Sequence, residues 1–223
     1  GDGVVYDLSS TDTGDWMSTR DVYSLAYDSS NDLIYIGVQA GEYGVYNRTS
    51  NVSTDLSDTD PGNWMSTSSV YSLAYDSSND LVFLGIYGGK FGVYDPNTNV
   101  TTDLSSTDTG NWMNSYLIYS LAFDSSNDLV YLGLQSGQYG VYNISSNVTT
   151  DLSDTDTGDW IGGSDYVQSV GVDSSNDRVF LGIWDGKFGV YDPDTGVTTD
   201  LSSTDLGDWM GSEDDVYSVA VDS

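Results

Sequence analysis

"VYSLAYDSSNDLIYIGVQAGEYGVYN" occupies residues 22–47, and its reading decides the fold. It holds three runs rich in Val, Ile, Leu and Tyr, separated by Ser-Asn-Asp and Gly clusters. Runs of that composition read as strands, and the clusters between them read as tight turns. A fourth run, "NVSTDLS" at 51–57, completes the set, and no stretch shows a helical period. The runs grade from dry to wet. The second, "LIYIGV", is apolar on both faces and should be buried on both; the first is nearly so. The fourth carries Ser, Thr and Asp and should be an outer strand.

The unit recurs along the chain. Copies of the first run start at Val22, Val70, Ile118, Val167 and Val216, a spacing of about 48 residues. Before each stands a loop of one design: "STDTGDWM" (10–17), "DTDPGNWM" (58–65), "STDTGNWM" (106–113), "DTDTGDWI" (154–161) and "STDLGDWM" (203–210). Four short antiparallel strands that grade from buried to exposed, repeated at this period, are what a β-propeller blade needs, and propeller blades run about 40–50 residues. The expected fold class is therefore all-β, a propeller of four-stranded antiparallel blades. Complete blades are expected at about 20–57, 68–105, 116–153 and 165–202 within one domain spanning 1–223. An isolated fourth-type strand (3–9) precedes them, and an isolated first-type strand (216–222) follows.

The segment "VYSLAYDSSNDLIYIG" resembles the repeat of two-component-regulator-type propellers, in which an Asp-ended first strand turns into a second strand. The pattern "SDTDTGDWI" followed by "VQSVGVDSSNDRVFLG" resembles the tachylectin type, a five-bladed lectin with a loop containing Trp before each inner strand. That resemblance implies five blades, closure by mixing of N- and C-terminal strands, and sugar binding at the loops. The glycine-rich segment that follows the Trp in the lectins is replaced here by "MSTRD" (17–21) or "MNSYL" (113–117).

Five blades with a split or incomplete closing blade is the leading expectation. The fifth blade would own an inner and an outer strand and lack the middle two, and bare edges are costly. The missing strands could lie outside this segment, the segment could belong to a longer array, or the terminal strands could pair with another copy as a dimer or head-to-tail polymer. Units 1 and 3 share "GEYGVYN" and "GQYGVYN", whereas units 2 and 4 share "GKFGVYDP", so the sequence also repeats in two-blade pairs.

Composition bounds the function. The net charge is −30, from 35 acidic and 5 basic residues, and only Glu42 and Glu213 are glutamate. Such a field repels nucleic acid and anionic membrane and attracts cations. The preference for Asp over Glu points to turns, which Asp favours by bonding its own backbone. There is no cysteine or histidine, which removes disulfides, thiol nucleophiles, the usual zinc sites and histidine acid–base chemistry. No apolar run approaches the ~18 residues of a membrane span. With neither a signal peptide nor an initiator Met, the segment reads as processed or excised.

Three kinds of site stand out. Trp16, Trp64, Trp112, Trp160 and Trp209 each follow Asp15, Asn63, Asn111, Asp159 or Asp208, with Asp12, Asp60, Asp108, Asp156 and Asp205 earlier in the loop. A flat aromatic face beside oxygen acceptors suits a sugar; the competing reading is a packing peg between blades with Asp capping the loop. Asp154, Asp156 and Asp159 form a weak calcium candidate, since an EF-hand loop would place its third acid before the Gly and add a Glu. Sequons occur at Asn47, Asn51, Asn99, Asn143 and Asn147, in turns expected at the rim, where Asn also suits a positive φ. The "DSSND" turns read as hairpin chemistry alone, and Tyr23, Tyr27, Tyr71 and Tyr75 as packing. Carboxylates repeat equally in every unit and no acid–base or nucleophile set emerges, so an enzyme is not expected. The expected function is an extracellular or cell-surface propeller that binds glycans or other surface proteins. The alternative is a surface-layer or filament subunit whose partner is itself.

Overall fold

The computed structural model describes residues 9–204 and 215–221, except residues 13, 18, 115 and 157. Among them are sixteen strands in four antiparallel sheets. The first sheet comprises β1 (Val22–Asp28), β2 (Leu33–Val38), β3 (Tyr43–Asn47) and β4 (Val52–Asp55). The second comprises β5 (Val70–Asp76), β6 (Leu81–Ile86), β7 (Lys90–Asp95) and β8 (Val100–Asp103). The third comprises β9 (Ile118–Asp124), β10 (Leu129–Leu134), β11 (Tyr139–Asn143) and β12 (Val148–Asp151). The fourth comprises β13 (Val167–Asp173), β14 (Arg178–Ile183), β15 (Phe188–Asp192) and β16 (Val197–Asp200). Strand order follows the chain in every sheet, so each is a meander lying within one repeat. No helix among the described residues is long and apolar enough to cross a membrane.

Local chemistry builds each hairpin. Asp28 ends β1 fully buried, and its carboxylate accepts the N–H groups of Ser30 (2.9 Å) and Asn31 (3.1 Å) and the Asn31 side-chain amide (2.8 Å). Asp32, Asp80, Asp128 and Asp177 close the same turn with φ between 54° and 59°. Asp and Asn tolerate that left-handed conformation where longer or branched side chains do not, which explains why the acidic residues are Asp. The turns are more than hairpin chemistry. Asn79 donates to Asp128 in the next sheet (3.0 Å), and Asn127 to Asp177 (2.9 Å).

The core lies between sheets rather than within one. Ala26, Tyr35 and Tyr43 of the first sheet pack against Val70, Leu73, Leu84, Ile86 and Tyr94 of the second. The second and third sheets meet the same way around Phe83, Phe91, Ile118, Leu132 and Tyr142, and the third and fourth around Tyr131, Tyr139, Val167, Leu181 and Tyr191. The second and third blades are dry on both faces because a neighbour covers each, as their apolar second strands require.

The outer strands are wet on one side alone: Ser53, Thr101, Thr149 and Thr198 are buried while the Asp ending each strand is exposed. The inner strands are not uniformly dry. Val22, Leu25 and Tyr27 of β1 are exposed, with no complete blade on that side among the described residues, and Tyr23 is exposed toward the centre of the molecule, so neither Tyr23 nor Tyr27 has the core packing role expected of it. The expected strand at 3–9 lies almost wholly outside the described residues. Residues 215–221 run beside β13 and pair with no strand among the described residues.

Candidate functional site

The linker loops between sheets are built from the inside out. Each opens with a 3-10 turn, such as Ser57–Thr59, whose Thr59 hydroxyl donates to the Leu56 carbonyl (2.6 Å). The next Asp then staples the loop. Asp60 accepts the N–H groups of Trp64 (3.2 Å) and Met65 (2.9 Å), and Asp108 those of Trp112 (3.1 Å) and Met113 (2.9 Å). Asp12 accepts from Met17 and Asp156 from Ile161, both at 2.8 Å. The residue before each Trp takes positive φ: 64° at Asp15, 55° at Asn63 and Asn111, 53° at Asp159. Asp or Asn at those positions is therefore favoured by the backbone.

The tryptophan points inward. Trp16, Trp112 and Trp160 are 6–8% exposed, and Trp64 is half-buried. Each ring lies on the third-strand glycine of the blade it leads into. A Cβ at Gly140 would stand 2.5 Å from Trp112 Cη2, and Gly44, Gly92 and Gly189 meet Trp16, Trp64 and Trp160 equally closely. The glycine is there because nothing larger fits. The indole faces are thus covered by protein, while Asp15, Asn63, Asn111 and Asp159 remain exposed beside them. The indole N–H of all four tryptophans, and one carboxylate oxygen each of Asp12 and Asp156, are buried without a hydrogen-bond partner among the described residues. Trp209, Asp208 and Asp205 lie outside the described residues.

Asp154, Asp156 and Asp159 share one pocket of ≈ 350 Å³ with Gln138, Ser153 and Ile161. Among the described residues no three acidic groups converge closely enough to hold a metal ion. Asp156 is turned aside by its bond to the Ile161 N–H, so the three carboxylates do not converge as a calcium loop would need. At the opposite, turn end of the blades, Asn51, Asn99 and Asn147 are exposed with φ of 59°, 56° and 56°. Each accepts at Oδ1 the hydroxyl of Tyr46, Tyr94 or Tyr142, at 2.8, 3.0 and 2.9 Å. Asn47 and Asn143 are half-buried and cap the same turns through Ser50 and Ser146.

A feature the sequence reading missed lies at the centre. The triplets Tyr23-Ser24-Leu25, Tyr71-Ser72-Leu73, Tyr119-Ser120-Leu121, Gln168-Ser169-Val170 and Tyr217-Ser218-Val219 converge on one cavity of ≈ 270 Å³. Serines tie neighbouring inner strands together: Ser72 donates to the Ile118 carbonyl and Ser169 to that of Val216, each at 3.1 Å. An arc of rings follows the rim, Tyr23 on Tyr71 (4.7 Å), Tyr119 on Tyr166 (5.5 Å) and Tyr166 on Trp184 (5.2 Å). Desolvation, then the neighbouring Tyr71, pushes the Tyr23 hydroxyl up from its ordinary value. The signal was present: a serine recurs at the same position in every copy of the inner strand, Ser24, Ser72, Ser120, Ser169 and Ser218, followed each time by Leu or Val, and marks a position that must find a polar partner.

No protein-family model and no curated protein matches this sequence. Solved structures do share its fold. The extracellular domain of BT4673 from B. thetaiotaomicron, described in one structure as a one-component system, superposes with a TM-score of 0.64 at 16% identity over 91% of this chain. A second structure of that domain, described as a hybrid two-component system, gives 0.62 at 16% identity over 89%. The WD40 repeats of RRP9 give 0.64 at 13% identity over 82%. The chain spans 25%, 24% and 51% of those three chains. The molecule is a β-propeller, the fold it shares with these structures.

Proposed function

We propose that this chain is a non-enzymatic, extracellular or cell-surface propeller that binds carbohydrate on the face carrying its linker loops. One observation carries this reading: an exposed Asp or Asn recurs at the same place in the four described loops, at Asp15, Asn63, Asn111 and Asp159, the last of them in a pocket of carboxylates and hydroxyls, with an aromatic-rimmed cavity at the centre. Sugars need hydroxyl acceptors and an apolar ring face together. The stapled loops supply the acceptors at Asp15, Asn63, Asn111 and Asp159. The ring faces come from the exposed rim, Tyr23 and Trp184, rather than from the covered loop tryptophans. Modification at Asn51, Asn99 and Asn147 fits the same setting, since each is exposed and its tyrosine bond engages Oδ1 rather than the amide nitrogen. The extracellular location of the BT4673 domain supports that placement, and a diffuse attraction for cations goes with the charge of −30.

The test is a glycan array read with tryptophan fluorescence. Binding that is lost in Trp184→Ala and reduced in Asp159→Ala supports the reading. A blank array with unchanged fluorescence would sink it. A structural role in a surface layer, with the chain as its own partner, is the second reading, favoured by the exposed apolar side of β1. Concentration-dependent assembly without sugar binding would establish that role instead.

A further inference from the structure

The backbone repeats faithfully, but its chemistry departs from the repeat at the linker-loop end of the fourth blade. The residue after each second strand donates its N–H to the carbonyl of the residue before the first strand. Gln39 donates to Asp21 (3.1 Å), Tyr87 to Ser69 (3.4 Å), Gln135 to Leu117 (3.1 Å) and Trp184 to Tyr166 (3.0 Å). The frame is shared, so the differences lie in the side chains. Where the third blade carries Leu117, Tyr119 and Gln135, the fourth carries Tyr166, Gln168 and Trp184. Gln168 stands where the other four copies of the inner strand have Tyr. The loop ahead of the fourth blade is also longer, with six residues between Trp160 and Val167 against five in each of the three loops before it. Core packing does not ask for these exchanges: Trp184 is 39% exposed, and Tyr166 and Gln168 are half-buried.

The exchanged residues join two cavities into one track. Tyr119 and Gln168 line the central cavity, and Gln138, Asp159 and Gly163 line the pocket of ≈ 350 Å³. Tyr166 lies between them. Its ring stacks on Tyr119 at 5.5 Å, its hydroxyl accepts the Gln135 side-chain amide at 3.5 Å, and Trp184 stands edge-to-face against it at 5.2 Å. Residues 135–138 form one side and 163–168 the other, tied by the Gly137 N–H to the Asp165 carbonyl at 2.5 Å. The five steps from Gly163 to Gln168 reach at most about 17 Å, longer than one sugar ring. The charge along the track has one sign. Lys187 is held by the buried Asp165 at 2.5 Å, while Asp154 and Asp159 stand exposed at the outer end. A sugar acid would meet like charge there. Neutral hydroxyls would find carboxylate acceptors at that end and, at the other, the Gln168 amide, which both donates and accepts.

We propose that carbohydrate binds once per chain, as an uncharged linear oligosaccharide lying along this track from the central cavity to the Asp159 loop, with Tyr166, Gln168 and Trp184 setting its specificity. This rests on the carbohydrate reading above and narrows it. Of the four described loops, the one bearing Asp159 adjoins the track. The rings of Tyr166 and Trp184 supply apolar faces along its length, and the polar groups at its two ends fix register and direction.

The experiment titrates the full chain by calorimetry with neutral linear glucans, mannans and xylans, each as a length series from monosaccharide to hexasaccharide, and with a matching series of uronic acids. One neutral series should bind at one ligand per chain, its affinity climbing about tenfold or more from the shortest member before levelling off. The uronic acids should bind about tenfold or more weaker at low salt. Three variants restore the third blade's residues, which this backbone already accepts: Tyr166→Leu, Gln168→Tyr and Trp184→Gln. Each should keep the unfolding midpoint and lose the gain with length. Should a variant fail to fold, the stoichiometry and the length series of the unaltered chain still decide. Several equal sites per chain, affinity that ignores length, or uronic acids bound as tightly as neutral sugars would each overturn the proposal and leave the carbohydrate reading standing. No binding in any series removes both.

Discussion

At the scale of single residues, the repeated Asp and Trp of the linker loops are a matched pair. The carboxylate of Asp108 holds two successive N–H groups, and the ring they deliver seals against Gly140. Asp108→Ala leaves both donors unpaired, and hydrogen bonds to a charged acceptor are worth about 1.5–3 kcal/mol each at most sites, so a loss of about 2 kcal/mol or more is expected in urea unfolding. Gly140→Ala should cost about 1–3 kcal/mol by overpacking, since its methyl would meet both Trp112 and the Thr150 carbonyl oxygen. The turn carboxylates carry a pH signature. Burial opposes the charge of Asp28, but hydrogen bonds from Asn31, Tyr75 and Ser30 outweigh it and hold the carboxyl below its ordinary 3.8. A carboxyl depressed in the folded state stabilises it above the unfolded value, and that contribution disappears as pH falls through the folded one. Thermal midpoints should therefore drop below about pH 4, and Asp28→Asn should flatten the drop. Parallel curves for the two proteins would show that Asp28 is not part of it.

At the scale of elements, the junction between blades is the unit that matters, and it comes in two chemistries. Tyr43 hydroxyl bonds Thr59 and Thr101, and Tyr139 bonds Thr155 and Thr198. In blade 2 the equivalent is Phe91, and Thr107 faces Thr149 directly at 3.4 Å. Because the Thr pair survives without the phenol, Tyr43→Phe should cost only about 0.5–1.5 kcal/mol, the worth of a neutral hydrogen bond, in equilibrium unfolding. A larger loss would mean that Thr59 and Thr101 are left unsatisfied. This contrast also shows what was legible in the sequence. Strands and turns were legible because each blade repeats the same runs rich in Val, Ile, Leu and Tyr and the same Asn-Asp and Gly punctuation, and "LIYIGV" announces burial on both faces. The inward rotation of Trp16 was weighed but not decided, because one string, "GDWM", serves a ring that packs and a ring that binds. What decides it is Gly44, twenty-eight residues further along, and only the fold brings the two together. The aromatic rim was missed for a related reason: Tyr23 and Tyr75 look alike in sequence, but Tyr75 packs toward Tyr35 while Tyr23 faces the axis.

At the scale of the whole molecule, charge is the dominant unbalanced force. Among the described residues, four of the five basic side chains are committed to ion pairs, Arg20 with Glu42, Arg48 with Asp32, Arg178 with Asp192 and Lys187 with Asp165. The fifth, Lys90, donates to the Trp64 carbonyl. These pairs are largely solvent-accessible, and such pairs contribute about 0–1 kcal/mol each, too little to offset the mutual repulsion behind a net charge of −30. Folding concentrates that charge, so screening should favour the folded state. The screening length falls from about 30 Å at 0.01 M salt to about 3 Å at 1 M, which shortens it from the size of the molecule to that of a contact. The urea midpoint should rise steadily with NaCl, the reverse of a protein held by ion pairs. Calcium chloride at matched ionic strength separates a diffuse effect from a bound ion. Because Asp156 is turned to the Ile161 N–H, calcium should stabilise only modestly more than sodium and without saturating. A saturable rise at micromolar calcium that Asp154→Asn abolishes would instead place an ion among Asp154, Asp156 and Asp159.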